Sequence, residues 1–386
     1  MRSCLLAVNG SVAWWLWASV ERMKVKVLGA GSIGNHLANA ARQLGWSVDI
    51  IDPDPAALQR TRTDIYPSRY GAWDDAIRLF APNNAPLGGY DLICIGTPPD
   101  SHMPLARAAV AERPKAVVVE KPLCGPNLAG AQELADEAAA AGVAVFVGYD
   151  HVVGRAARIV TDLLASGAIG AVTTIDVEFR EHWGGIFDAH PWLTGPWDSY
   201  LGFTARGGGA SGEHSHAANL WQHFAYVAGA GRVSEIDATL DFVRDGRVDY
   251  DRLCSMNMRT EKGLLGRCVQ DVVTQPPRKW ARIQGADGYI EWRCGAEPGV
   301  DVVSGRLSGG EWLEERISKT RPDDFIEELS HITEALSSGP SLSPISLARG
   351  LDTALIVSAA LRSAEIGRRA YIDFAGGYQP SSVIVD

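Results

Sequence analysis

The sequence is poor in cysteine and shows no pairing pattern among the few it has. Six cysteines, at positions 4, 94, 124, 254, 268 and 294 of 386 residues, contain no C-x-x-C spacing. That excludes a disulfide framework and a zinc ribbon, and it fits reduced thiols in a cytoplasmic protein. Basic side chains are also in deficit, with 36 Lys and Arg against 46 Asp and Glu and a net charge of −10. This is the wrong sign for holding a phosphate backbone by counterion release, so no nucleic-acid partner is expected. Long apolar runs are missing too. Residues 4–20 are uncharged but are broken by Asn9-Gly10-Ser11, and they fall short of the ~20 apolar residues a bilayer crossing needs. Ala18-Ser19-Val20-Glu21 makes a poor signal-cleavage site, so neither a membrane anchor nor secretion is expected.

What is present is an ordinary globular composition, 46% hydrophobic and 21% charged, and a length that suggests two or three domains of about 150 residues each. Met23-Lys24 directly precedes the first patterned strand, so residues 1–22 read as an extension whose deletion should leave activity intact. From 24 to 148, β-branched runs alternate with Ala-rich amphipathic stretches. Strands are predicted over 25–28, 48–51, 92–95, 116–119 and 143–147, and helices over 33–44, 57–63, 73–79, 103–111 and 128–141. Such alternation builds a doubly wound parallel sheet covered by helices on both faces.

The pattern then changes. One helix is predicted over 153–165, followed by long alternating stretches at 172–179, 234–243, 249–258, 264–273, 280–283 and 289–292, which read as a large, open, mainly antiparallel sheet. Helical periodicity returns at 324–336 and 347–365. The expected organisation is an α/β domain over 23–150 and an α+β substrate-binding domain over 151–386, with its last helices packing back and a cleft between the two.

Gly29-Ala30-Gly31-Ser32-Ile33-Gly34 ends the first strand and opens a helix, the context that a dinucleotide fingerprint requires. Gly29 would permit the tight turn, Gly31 close approach of a pyrophosphate, and Gly34 helix-strand packing, with the helix N-terminus offering free N–H groups. Asp52 ends the second strand about 20 residues further on, where a carboxylate accepts from a ribose diol. This makes the first domain a Rossmann domain and favours NAD, with NADP left open because Arg60 and Arg62 lie nearby.

Three further segments fall at strand ends or in glycine-rich turns: Gly96-Thr97-Pro98-Pro99-Asp100-Ser101-His102, Glu120-Lys121-Pro122, and Gly207-Gly208-Gly209-Ala210-Ser211-Gly212-Glu213-His214-Ser215-His216. With the glycine fingerprint, this ordered set resembles the glucose-fructose oxidoreductase, inositol dehydrogenase and rhizopine catabolism (Gfo/Idh/MocA) family over nearly the whole chain after Met23. The resemblance implies an NAD(P)-dependent oxidoreductase acting on a secondary alcohol or carbonyl of a sugar, polyol or related ring. It also implies a homodimer or homotetramer formed through the second domain's open sheet.

Carried over by position, Lys121 is the lysine that hydrogen-bonds the reacting oxygen, and Pro122, in a cis bond, would aim it inward. His216 is the histidine that takes the hydroxyl proton, a task suited to an imidazole. Many relatives place an Asp four residues before that histidine. Here the position is Gly212, and the nearest carboxylate is Glu213. On a continuous helix Glu213 would share a face with His216 and orient it; otherwise His214 competes for the role. Thr97, Pro98 and His102 are expected beside the nicotinamide ribose, Glu120 and Lys121 in contact with the cofactor, and Ser32 and Ile33 at the pyrophosphate. The long aromatic segment holding Arg180, His182, Trp183, Trp192 and Tyr200 is the expected substrate wall, because indole faces stack on sugar C–H faces while polar groups read hydroxyls. Tyr149, with Asp150 and His151 beside it where the chain enters the second domain, and His214 are expected to touch substrate. Six of the nine histidines fall between 151 and 223, yet Glu213, His214 and His216 match no metal-ligand spacing and no metal is expected. Two rivals stay open: a glycosidase on the same fold that retains its NAD, and a non-catalytic dinucleotide-binding sensor.

Overall fold

The computed structural model describes residues 22–188, 190 and 192–385. Cys4 and nearly all of the expected N-terminal extension lie outside them. Six parallel strands form the first sheet: β1 (Lys24–Leu28), β2 (Ser47–Ile51), β3 (Ile77–Phe80), β4 (Leu92–Ile95), β5 (Ala116–Glu120) and β6 (Ala144–Gly148), in the order β3-β2-β1-β4-β5-β6. Every residue of β4 and β5 is buried. Helices cover both faces, which is why these strands are continuous apolar runs rather than alternating ones. The helices are α1 (Ser32–Gln43), α2 (Pro55–Arg60), α3 (Tyr66–Tyr70), α4 (His102–Ala111) and α5 (Ala131–Ala141).

The helix expected over 73–79 is a turn followed by an edge strand. The Asp74 carboxylate accepts from Ala76 N at 2.9 Å and from the Arg42 guanidinium at 2.7 Å, a local side-chain bond that competes with helix formation. Ile77–Phe80 then pairs with β2, and Arg78 reaches Asp49 across that pairing at 2.7 Å.

The second domain opens with α6 (Asp150–Val153) and α7 (Arg155–Ala165), so the single helix expected here starts earlier and breaks at Gly154, where ψ is 154°. A short helix α8 (Gly184–Asp188) lies in the aromatic loop, and α9 (Gly209–Glu213) and α10 (His216–Val227) follow it. The ten-stranded sheet comprises β7 (Val172–Arg180), β8 (Val233–Arg244), β9 (Asp249–Thr260), β10 (Leu265–Asp271), β11 (Arg278–Gly285), β12 (Tyr289–Glu297), β13 (Val300–Arg306), β14 (Trp312–Ser318), β15 (Ala370–Ile372) and β16 (Val383–Val385). Its order is β14-β13-β12-β11-β7-β10-β9-β8-β15-β16, and all its pairings are antiparallel except β7 with β10. The last four strands were not foreseen; β14 is largely exposed and β15 and β16 have three residues each, too short for a periodic signal.

The closing helices are α11 (Arg321–Ser338) and α12 (Leu347–Ile366). The Phe325 ring of α11 stacks on His36 of α1 with centroids 4.7 Å apart. Just before α12, the Ile345 carbonyl accepts from Val147 N of β6 at 2.8 Å. One apolar core runs through both domains. Among the described residues no helix is long and apolar enough to cross a membrane.

Candidate active site

The glycine fingerprint turns from β1 into α1 as its spacing predicts. A Cβ at Gly34 would overlap the Gly29 carbonyl oxygen, so helix and turn meet at backbone distance. The space a Cβ would take at Gly31 is open for 4 Å around. The first turn of α1, beginning Ser32-Ile33, has neither a side-chain cap nor an acidic residue, so its free N–H groups suit an anion. Asp52 accepts from Ala30 N and from Asp54 N, both at 2.8 Å, which fixes its carboxylate against the glycine turn. The cap of α2 is Asp54, which accepts from Ala56 N at 2.9 Å. An open cradle, an uncapped helix start and a fixed acidic side chain fit the pyrophosphate and ribose of NAD.

Thr97 and Pro98 follow β4, with the Thr97 hydroxyl accepting from Ser101 Oγ at 2.7 Å. His102, expected beside the ribose, is fully buried instead. Its two ring nitrogens face the Pro122 and Thr97 carbonyl oxygens at 2.9 and 2.7 Å, so it ties the β4 and β5 turns together. Glu120 is likewise buried. Burial and the Asp150 charge push its carboxyl up to about 8, against the pull of Lys121 and Arg321. The Lys121–Pro122 peptide is cis.

Lys121 reaches out of the first domain into the glycine-rich turn of the second. Its ammonium donates to the Glu213 carbonyl at 2.9 Å and lies 3.0 Å from the Glu213 carboxylate. The other carboxylate oxygen accepts from the Tyr200 hydroxyl at 3.1 Å. Burial alone would raise the Glu213 pKa, but Lys121, His214 and Tyr200 hold it below the usual range. The expectation that Glu213 orients His216 is therefore corrected. The chain breaks between α9 and α10, so the two residues lie on different helices, and Glu213 turns to the lysine. Gly212 is also explained, because a Cβ there would overlap the Gly207 carbonyl oxygen; no Asp fits at the position.

The carboxylate beside His216 is Asp150, at the start of α6. Its Oδ1 lies 3.6 Å from His216 Nδ1 and 2.6 Å from His151 Nδ1, while Oδ2 accepts from Arg321 at 3.1 Å. His216 Nδ1 is buried and makes no hydrogen bond. Its ring packs 4.6 Å from His151, 5.5 Å from Tyr149 and 6.1 Å from Phe179. Burial, then His151, Lys121 and Lys279, drive its pKa well below the ordinary value although Asp150 opposes them. His214, two residues earlier at the end of α9, is buried and is lowered to about 4, by burial first and then by Lys279 and Lys121 against Glu213. Asp150, His151 and His216 bring donor atoms within 4.8 Å of one another. The short His151–Asp150 hydrogen bond and the Arg321 contact already commit the carboxylate, so the cluster reads as a hydrogen-bonded unit.

The aromatic segment splits. Trp183 is 7% exposed in a small apolar cluster with Leu201, Ala210 and Val272, and Tyr149 is 2% exposed with its hydroxyl donating to Ser215 Oγ at 3.3 Å. Both belong to the packing under the site, not to an open sugar platform. Arg180 is held by Asp271 at 2.6 Å, and His182 is exposed and accepts from Gly184 N. Trp192 is 41% exposed and lies over the Arg60 guanidinium of α2 at 5.8 Å, so the loop reaches the first domain. The half-buried ion pair of Lys279 with Glu181, at 2.8 Å, and Arg321 had no local sequence signal. They come from β11 and α11, distant in sequence.

Residues 23–149 match the oxidoreductase family model with an NAD-binding Rossmann fold, and residues 157–291 match the Gfo/Idh/MocA C-terminal domain model. The fold and these matches define an NAD-binding oxidoreductase. The chain belongs to the Gfo/Idh/MocA family. No curated protein sequence matches the chain. Among solved structures, levoglucosan dehydrogenase in complex with NADH is 18% identical, with 90% of this chain and 98% of that one covered at a TM-score of 0.73. The aldose-aldose oxidoreductase from Caulobacter crescentus is also 18% identical, with 91% and 100% covered and a TM-score of 0.69. An oxidoreductase from Agrobacterium radiobacter, in complex with NAD+, L-tartaric acid and magnesium, is 21% identical, with 91% and 98% covered and a TM-score of 0.71. At these identities the likeness is one of fold.

Proposed function

We propose that the protein transfers hydride between NAD and a secondary hydroxyl or keto carbon of a sugar, cyclitol or glycoside. The observation that carries this is the Lys121 ammonium crossing from one domain to bond Glu213 in the other, three residues before His216. The glycine turn, the start of α1 and Asp52 hold the dinucleotide, which when bound accepts or returns hydride. Lys121, anchored by Glu213, directs its remaining N–H toward the reacting oxygen and stabilises developing alkoxide charge. His216 is neutral at physiological pH and takes the hydroxyl proton on its ring nitrogen away from Asp150. Of the segment expected to read substrate, Arg180, His182, Tyr200 and His214 remain in the proposed pocket wall. The levoglucosan and aldose specificities of two structural neighbours fit this substrate class. A domain boundary near residue 150, a homodimer or homotetramer through the open face of the second sheet, and cytoplasmic residence complete the proposal.

The test is a panel of sugars, cyclitols and glycosides assayed for NADH formation with each cofactor. NADH accumulating on at least one free sugar or polyol supports the proposal; no turnover of any would reject it. The glycosidase reading gains from one contact, Trp192 over Arg60, which closes the loop against the cofactor-binding domain and favours retention of the dinucleotide. Aglycone release from a glycoside without net NADH would select it.

A further inference from the structure

The reading of His216 as the base leaves open what sets its charge, and the surroundings of Asp150 supply an answer that rests on that reading. One carboxylate oxygen, Asp150 Oδ1, faces two imidazole nitrogens: His151 Nδ1 at 2.6 Å and His216 Nδ1 at 3.6 Å. The rings stand 4.6 Å apart with Phe179 beside both. Asp150 is buried and its second oxygen is taken by Arg321. A single negative charge is thus shared by two imidazoles and a guanidinium, and only one imidazole makes the short bond.

We propose that His151 is a positioning residue that holds the Asp150 carboxylate as an imidazolium, and thereby keeps the neighbouring His216 neutral and available as base. Asp150 occupies the orienting place that Glu213 does not reach. In the oxidative direction the substrate hydroxyl proton passes to His216 while hydride leaves the same carbon. The His216 imidazolium so formed beside a charged His151 is short-lived, and its proton returns to solvent, so one proton is released per hydride transferred. The electrostatics agree: burial opposes it, but Asp150 and the Cys294 thiol on β12 raise His151 to about 9. The charged and titratable groups facing the pair are Asp150 from α6, Arg321 from α11, Cys294 from β12, Lys279 from β11, Lys121 from the end of β5, Glu181 after β7 and Tyr149 before α6, while the buried Glu120 of β5 and Glu328 of α11 face Asp150 itself.

The cleanest readout needs no turnover. In a histidine-ring NMR titration of the whole protein, His151 should stay doubly protonated well above neutrality while His216 stays neutral at pH 6. In His151→Gln, whose amide can still donate to Asp150, the His216 transition should move up by about one pH unit, because an adjacent like charge has gone. The acid limb of kcat/KM should follow it. Asp150→Asn should move the limb the other way and lower kcat, while KM changes little. A merely structural His151 would leave both the His216 transition and the limb in place, and that result overturns the proposal. So would a wild-type His216 titrating near its ordinary value, or stoichiometric metal whose chelation abolishes activity. If His216→Ala stays active while the titrations behave as stated, the base assignment fails and the electrostatic coupling survives.

Discussion

Lys121 and Glu213 are joined twice across the two domains, once through the main-chain carbonyl and once through the carboxylate. The carbonyl contact survives any side-chain change at 213, whereas the ion pair does not. The lysine is therefore placed by backbone and tuned by charge.

Lys121→Ala should lower kcat by about two or more orders of magnitude, the loss typical of removing a donor aimed at developing oxyanion charge. Lys121→Arg should recover little, because a planar guanidinium cannot occupy the same point. Steady-state kinetics on whichever sugar the panel selects would check both, and full activity in Lys121→Ala would remove it from the mechanism.

Glu213→Gln keeps the backbone contact and the shape while deleting the charge. We expect kcat to fall about tenfold, less than in Lys121→Ala, with the acid limb of the pH profile unmoved because His216 answers to Asp150. A shift of that limb would restore Glu213 as its orienting group.

Asp52→Ala should raise the kcat/KM ratio for NADP over NAD at least about tenfold, since a fixed carboxylate repels a 2′-phosphate. Isothermal titration with each dinucleotide measures the same preference without substrate. An unchanged ratio would mean that Asp52 serves only the glycine turn it already bonds.

His36 of α1 packs against α11 and gives a pH dependence of stability. Burial, then Arg321 and Arg69, lowers its pKa from 6.5 to about 3, so the folded state prefers the neutral ring. With the folded value below the unfolded one, this stability is fully present above pH 6.5 and is lost as pH falls toward 3. Thermal melts should show the wild type losing Tm over that window more steeply than His36→Phe; parallel curves would refute the assignment.

Gly212→Ala should cost about 1–3 kcal/mol or more through overlap with the Gly207 carbonyl. Lower melting temperature with NAD affinity unchanged is the expected signature.

The first domain was legible because buried parallel strands and amphipathic helices leave strong periodic signals, and the fingerprint sits on that pattern. The error at 73–79 arose where the short side chain of Asp74 redirected the backbone. In the second domain six strands read correctly, while solvent-facing β14 and three-residue β15 and β16 did not, and β13, buried along nearly its whole length, shows no alternation to read. Lys121 and His216 stood out as residues at segment ends. Glu213 misled because spacing of three implies a shared face only on an unbroken helix, and the break after α9 carries no Pro to announce it. Trp183 and Tyr149 show that aromatic residues near a site also serve as its floor. Arg321 and Lys279 were invisible, since only the tertiary fold brings them to Asp150 and Glu181.

Helix α11 is clasped at two points: Phe325 lies on His36, and Arg321 grips the carboxylate that opens the second domain. With Ile345 also bonded to β6, and Arg206 beside the glycine-rich turn paired with Asp100, the two halves are stitched together at several points. A wide hinge opening would have to tear these stitches, so a substrate meets two halves whose spacing is already set.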